Sequence, residues 1–427
     1  MNKIRNTIFQ NKSIKRVIKN TGYLAFGSIF SKGLLMLVFV YVARILGPEQ
    51  YGTYFTAFEF VGLVALFSRL GFDMTAIREG AKELSKVDAL QNKLLPIRIF
   101  YSIFISIIGL SIAYIINYNK NVFDLIIFLL PLVIIGGAIN SGFIEHFNTS
   151  FRIIENMKIV TIIQIIRTII FVVVSFFFIS ISFFNIYVLA TITLFSSIIA
   201  LIFQISLVKK YFSFTFHWKI DFVLLKKIIR PVFLFGIVSI LYMLSMKIDI
   251  QILSNLTNQE NVGFYAAGWQ INNIGVVFIS ALSLSLFPNS ARLIHQKKYR
   301  KKLGLFIIGL AFIIVLISLT ISYYSRDIIL LLFGNRFEET IKILKILVWF
   351  IPIRILLIWG SQVLECGDFL ITRVVIYIIP MIINIVLNII FIPKFGVIAA
   401  AYVSVFSSFI MLLFVTFSAL YVSRFKL

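Results

Sequence analysis

Ionisable side chains stand where an apolar chain should hold none. Lys32 lies 12 residues into the first long apolar run, about 18 Å deep at 1.5 Å per helical residue. That is too deep for its ammonium to reach the interface easily. Glu59 falls in the second run, Arg167 in the fifth, Lys247 and Asp249 in the outer half of the seventh and Arg354 in the tenth. A charge at the centre of a bilayer costs about 2.5–3.5 kcal/mol on insertion scales, so such groups face a water-filled cavity or one another. The surplus is cationic. A cavity lined by Lys and Arg suits an anionic cargo such as a phosphate. For Lys32 an ion pair with an acid on a neighbouring helix stays open, because Gly33 could admit another helix closely. Arg98, Arg167 and Arg354 lie nearer the ends of their runs and are expected to snorkel. Lys247 and Asp249 are two residues apart, so on a helix they point in different directions. Glu145 and Glu365 add buried or half-buried acids.

Other chemistry is missing. No Walker loop, Gly-x-Gly-x-x-Gly or His-Glu-x-x-His occurs, so nucleotide hydrolysis and zinc proteolysis are not expected. The chain has one cysteine, Cys366, and therefore no intrachain disulfide. His146, His217 and His295 have no metal-ligand spacing. A membrane polymerase or ligase would present acids or arginines on a long external loop. The best candidates, Asp327, Glu338 and Glu339, are mixed with Arg326, Arg336 and Lys342 and read as a solvated face. No cofactor, metal or catalytic residue is expected, and the chain is not expected to be an enzyme.

The elements that must hold these charges are membrane helices. Of 427 residues, 60% are hydrophobic and 13% charged, with mean hydropathy +1.02. Only lipid can cover so much apolar surface. Runs long enough to span fall at 20–43, 51–70, 94–117, 122–147, 159–180, 186–208, 231–256, 262–288, 303–323, 343–364, 369–392 and 397–422. The fourth, sixth and seventh are the least sharply bounded. The first apolar run is long enough to span and reads as an uncleaved helix rather than a signal peptide. The net charge of +23 sits between the runs, in alternate loops, including Lys3, Arg5, Lys12, Lys15, Arg16 and Lys19 and the clusters at 209–230 and 292–302. That bias places both termini in the cytoplasm. It also rules against nucleic acid, which needs an extended basic surface. The charged stretch 76–86 is expected to lie as a short helix along the interface.

A repeat is visible across the halves. Tyr51-Gly52-Thr53-Tyr54 follows the first run and Val262-Gly263-Phe264-Tyr265 the seventh, at an offset of 211 residues (263 − 52). Each opens the second helix of a six-helix half, and six passes restore orientation. The expected fold is therefore an all-α polytopic membrane protein of about twelve helices, in two parallel six-helix lobes around a central cavity. The lobes are residues 1–208 and 231–427, joined by a basic cytoplasmic linker at 209–230.

Several segments carry a resemblance. Val42-Ala43-Arg44-Ile45-Leu46-Gly47-Pro48-Glu49-Gln50-Tyr51-Gly52 resembles the signature after the first helix of Wzx-type polysaccharide flippases, which export O-antigen and capsule repeat units. Gly71-Phe72-Asp73 with Ala76-Ile77-Arg78 is similar to their first cytoplasmic loop. Asp249 with the Val262–Tyr265 motif, Leu332-Phe333-Gly334-Asn335-Arg336-Phe337, and Asn384, Asn388 and 392–401 match later segments in order. The family belongs to the multidrug/oligosaccharidyl-lipid/polysaccharide exporter superfamily.

The resemblance implies alternating-access flipping of undecaprenyl-diphosphate-linked oligosaccharide across the bacterial cytoplasmic membrane. The cavity set is Lys32, Lys247, Arg78, Arg167, Arg354, Glu59 and Asp249. Expected partners are the lipid-linked oligosaccharide, membrane lipid, a coupling cation (H+ or Na+), a polysaccharide polymerase and a chain-length regulator. A cation-coupled multidrug exporter of the same superfamily is the nearest rival, and it would want a net acidic cavity.

The charge asymmetry makes one prediction. In a Lys297→Cys variant the thiol is protected from an impermeant maleimide in intact cells and labelled after permeabilisation. Efficient labelling from outside would invert the topology.

Overall fold

In a computed structural model, residues 2–215, 220–366 and 369–425 are described, with side chains from residue 19 onward. The N-terminal cations from Lys3 to Arg16, and His217, thus fall outside the described side chains. Sixteen helices follow one another: α1 (Asn2–Arg69), α2 (Phe72–Gly80), α3 (Val87–Ile116), α4 (Lys120–Leu129), α5 (Leu132–Ile135), α6 (Gly142–Ile153), α7 (Met157–Ser180), α8 (Ile186–Tyr211), α9 (Phe222–Leu256), α10 (Gln259–Leu293), α11 (Lys297–Tyr323), α12 (Ser325–Phe333), α13 (Thr340–Leu347), α14 (Phe350–Cys366), α15 (Leu370–Phe395) and α16 (Val397–Phe425). No strand occurs among the described residues.

Nine of these helices are long and apolar enough to cross a bilayer. The first contains two passes, because Gly47 breaks it at φ 76° just before Pro48. Only glycine adopts that φ cheaply, and proline cannot donate the next helical hydrogen bond. The chain folds back there, and the first two expected spans become arms of one bent helix.

The fourth and tenth expected spans are broken, which hydropathy alone did not reveal. The fourth is α4, α5 and α6, interrupted at Gly136, Gly137 and Gly142, all at positive φ. Carbonyls freed inside a membrane need other donors. Ser141 Oγ donates to the Leu132 and Val133 carbonyls at 3.3 and 3.0 Å, and Gln204 Nε2 to the Ile144 carbonyl at 3.1 Å. The tenth breaks between α13 and α14. There Asn272 Nδ2 donates to the Leu347 carbonyl at 2.7 Å and Ser318 Oγ to the Val348 carbonyl at 3.3 Å. A hydropathy run sees only apolar side chains; the breaks are made possible by polar groups at the break itself, Ser141, and on other helices, Gln204, Asn272 and Ser318.

The loops differ from expectation in two places. The helix expected at 76–86 begins earlier, at Phe72, and packs between α6 and α9 instead of lying free on the interface. The linker 209–230 is largely helical where described, since α8 runs to Tyr211 and α9 starts at Phe222. Asp221 caps α9 through the Leu224 amide at 2.9 Å. That bond, and Lys93 Nζ at 2.9 Å, hold its carboxyl below the usual carboxylate range. Asn92 Nδ2 meets the Ser213 carbonyl at 3.1 Å and Asp88 accepts from the Ser213 amide at 2.8 Å, which clasp the linker to α3.

The two halves repeat one another at side-chain level. Tyr54 Oη lies 2.9 Å from Thr193 Oγ1, and Tyr265 Oη lies 2.8 Å from Ser404 Oγ. Both differences, 265 − 54 and 404 − 193, equal 211. Where the halves meet, at the end of the bundle that carries the Gly47 bend, their contact is reciprocal. A Cβ on Gly52 would lie 1.9 Å from the Gln259 carbonyl oxygen, and one on Gly263 would lie 1.9 Å from that of Pro48. Pro48 and Gln259 are themselves 211 apart, so each glycine packs on the counterpart of its partner's neighbour. That is the signature of a local two-fold axis, as in an isologous interface. A two-fold axis directed along the bundle keeps equivalent helices running the same way, as two parallel lobes do.

The crossing predicts a strong effect of small substitutions. Gly52→Ala or Gly263→Ala cannot be accommodated without separating the halves at this end. Each should raise thiol labelling of a cysteine placed at Thr56, in a Cys366→Ser background, several-fold over the parent. Unchanged labelling would mean that the glycines do not seal this end.

Candidate functional site

Three of the sequence-predicted charges converge between the halves. Lys247 on α9 donates to Glu59 on α1 at 2.5 Å, linking the second half to the first. Gly62, one turn from Glu59, leaves room for this pair: a Cβ there would meet Lys247 Nζ at 3.4 Å. Lys32, on the other arm of α1, is exposed, and Lys247 is its electrostatic neighbour. No acid pairs with Lys32 among the described residues. Gly33 has nothing within 4 Å, so no helix approaches there; the close approach is at Gly27, against Thr161 of α7. The ion-pair alternative for Lys32 therefore finds no partner.

Arg167 on α7 is half-buried and lies in the field of Tyr54, which in turn lies in that of Glu59. Lys32, Lys247 and Arg167 thus outnumber the one acid, Glu59. Their surplus charge has no protein counter-ion among the described residues, so it remains available to an anion.

The other predicted residues are elsewhere. Arg354 does not snorkel: it is buried, with its guanidinium over the rings of Phe350 at 4.6 Å and Tyr242 at 5.6 Å. Its terminal nitrogens reach Met246 Sδ at 3.2 Å and Met411 Sδ at 3.8 Å. Aromatic faces and sulfur stand in for a carboxylate. Arg78 is exposed at the basic end, over Phe235 at 5.9 Å. Asp249 is enclosed in the second half, where it accepts from Tyr265 Oη at 3.0 Å, Asn388 Nδ2 at 2.9 Å and Ser404 Oγ. Asn388 is in turn held by Asn384 at 3.1 Å. The position 211 residues earlier, Val38, is buried and apolar, so only one half carries this carboxylate.

Sequence reading missed a network at the basic end of the first half. Asp73 pairs with Arg98 at 2.7 Å and with Arg69, and accepts from Thr149 Oγ1 at 2.9 Å. Glu145 pairs with Arg152 at 2.5 Å and Arg69 at 3.2 Å. Arg98 is thus a buried ion-pair member and not a snorkelling end residue. The available signal was the run of complementary charges at 69, 73, 98, 145 and 152, but α1, α2, α3 and α6 supply them and only packing brings them together. His146 is buried beside this network and His295 is exposed. No metal-binding group of His, Cys, Asp and Glu occurs among the described residues. At the opposite end Arg44 donates to the Leu332 carbonyl at 2.6 Å and to that of Leu331, closing the C-terminal end of α12. Asp327 sits in an exposed first turn, while Glu338 and Glu339 pair with Arg326 at 3.9 Å and Lys342 at 3.1 Å on a solvated face.

The fold is shared with solved membrane transporters and flippases. The profile of the family described as "Polysaccharide biosynthesis protein" matches residues 17–294, and the chain belongs to that family. A second profile, MatE, matches residues 235–390. An uncharacterized membrane protein of Methanocaldococcus jannaschii is 24% identical, covering 94% of this chain and 83% of its own length. Among solved structures, an inward-facing multidrug resistance MATE family transporter of the MOP superfamily superposes with TM-score 0.73 at 16% identity, over 93% of this chain and 96% of its own. The lipid II flippase MurJ in an inward closed conformation does so with TM-score 0.73 at 13% identity, over 92% and 86%. A MOP superfamily transporter from Pyrococcus furiosus, described as having a binding pocket of reverse polarity, gives 0.66 at 16%, over 95% and 96%.

The acid–arginine network predicts a stability effect. Asp73→Ala leaves Arg98 buried without its partner, a loss of about 3–5 kcal/mol. It should lower membrane abundance and Tm, and Arg98→Met in the same chain should restore much of both. No rescue would show that Asp73 acts through something other than this pair.

Proposed function

We propose that this chain flips undecaprenyl-diphosphate-linked oligosaccharide repeat units across the bacterial cytoplasmic membrane for O-antigen or capsule synthesis. Residues 1–208 and 231–427 rock about the linker 209–230, with both termini and the basic end in the cytoplasm. The observation that carries this reading is the cationic excess of Lys32, Lys247 and Arg167 over Glu59 between the halves, which suits a diphosphate. The polyprenyl tail stays in lipid while the head group crosses. The flipped unit then passes to a polysaccharide polymerase and its chain-length regulator.

Asp249, ringed by the neutral donors Tyr265, Asn388 and Ser404, is the candidate carrier for a coupling H+ or Na+. The match to the MatE profile keeps multidrug export as the second reading, but a net cationic site repels cationic drugs. The exposed, paired acids Glu338 and Glu339 give little support to a polymerase or ligase.

The deciding experiment is a deletion strain complemented with variants. The deletion accumulates lipid-linked repeat units on the cytoplasmic face. Lys32→Ala fails to relieve this while keeping normal membrane abundance, and Lys32→Arg relieves it in part. Full surface polysaccharide export by Lys32→Ala at native expression would end the binding role of Lys32.

A further inference from the structure

A second charged place, lined by Arg69 and Arg373 with Asp73 and Glu365, lies between the halves at the basic end, apart from Lys32 and Lys247. It is a cavity of about 330 Å³ whose walls come from α1, α2, α9, α14 and α15. Two arginines reach it from opposite halves. Arg69 ends α1 and Arg373 lies in the first turn of α15. Each is held by carboxylates of its own half: Arg69 by Asp73 and Glu145, Arg373 by Glu365 at 2.6 Å. No ion pair crosses between the halves among the described residues that line the cavity.

Both arginines have capacity to spare. The carboxylates of Arg69 are shared with Arg98 and Arg152, so three guanidinium groups stand against two acids. Arg373 has a buried Nε with no hydrogen-bond acceptor. The rest of the wall is largely apolar or aromatic, with Leu66, Met74, Phe235, Val238, Tyr242 and Tyr377. Two separated guanidinium groups above an apolar floor match an anion with two phosphoryl groups on a hydrocarbon chain.

We propose that this cavity is a first docking site for an isoprenyl diphosphate head group. Arg69 and Arg373 turn from their carboxylates to bind one phosphoryl group each. The proposal rests on the diphosphate-lipid cargo proposed above and adds a site and a mechanism to it. Because the two arginines belong to different halves, the bound diphosphate is a bridge. It draws the halves together at the basic end, so cargo itself favours closure behind it. Asp73 and Glu365 keep the arginines in place before cargo arrives and receive them after it leaves, which limits how tightly the head group is held. A monophosphate has one phosphoryl group and makes a poor bridge.

The test uses the full-length protein in detergent, with farnesyl diphosphate and farnesyl monophosphate as probes. The parent should bind the diphosphate about tenfold more tightly than the monophosphate, and Arg373→Gln should remove that preference. Glu365→Gln should move the other way, tightening diphosphate binding about threefold because Arg373 loses its competing acid. A role confined to folding would not produce that gain. Spin labels placed at Met74 and Ser239, in a Cys366→Ser background, should move closer on adding farnesyl diphosphate to the parent and stay put in Arg373→Gln.

If the parent prefers the diphosphate, Lys32→Gln abolishes its binding and both variants at 365 and 373 remain within twofold of the parent, the docking site is wrong and the cargo reading survives. If the parent shows no preference for the diphosphate, both fall together.

Discussion

The structure depends on a close crossing of two backbones. Gly52 and Gly263 let the start of the second pass meet the start of the eighth at a separation that no side chain permits. Each rests on the carbonyl of the residue four before the other, Gln259 or Pro48, so the contact is made twice about one axis. Small residues allow such approach within a membrane, where helix association relies on packing and polar contacts. Polar side chains surround the crossing: Thr56 Oγ1 meets Gln259 Oε1 at 2.8 Å, and Tyr118 Oη meets Gln251 Oε1 at 2.7 Å. Closed at this end by backbone contact, the halves leave their charged groups to be arranged deeper in the bundle and at the basic end.

The charges sort by whether protein can neutralise them. Asp73, Arg98, Glu145 and Arg152 satisfy one another inside one half, and they tie α2, α3 and α6 together. Asp249 is surrounded by neutral donors in the other half. Arg354 rests on rings and sulfur. Between the halves, among the described residues, Lys32, Lys247 and Arg167 outnumber Glu59, while Arg69 and Arg373 face one cavity from opposite halves, each held by carboxylates of its own half. A surplus confined to the dividing surface is what an anion passing between moving halves requires. The same charge buried within one half would simply destabilise it.

Much of this was open to reading from the chain alone. Twenty-residue apolar runs reveal membrane helices because lipid imposes length and apolarity one segment at a time. The repeat at 211 residues was legible because Gly52, Tyr54, Gly263 and Tyr265 each serve a contact that no other residue type makes as well. Lys32, Glu59 and Lys247 were recognisable because a charge in an apolar run is costly wherever its helix packs.

What the sequence determined by itself was therefore what a single helix must satisfy alone: apolarity, span length and the presence of charges too costly to face lipid. Tertiary structure alone decided which charges meet. Arg98 and Arg354 were indistinguishable from snorkelling residues until Asp73 came to one and the rings of Phe350 and Tyr242 to the other. The breaks in the fourth and tenth passes were equally hidden, because Gln204, Asn272 and Ser318 supply hydrogen bonds from places that hydropathy does not connect. The physical reason is common to all of these. Desolvation is charged to each residue separately and shows in the sequence, whereas its compensation comes largely from partners on other helices and exists only once the helices are packed.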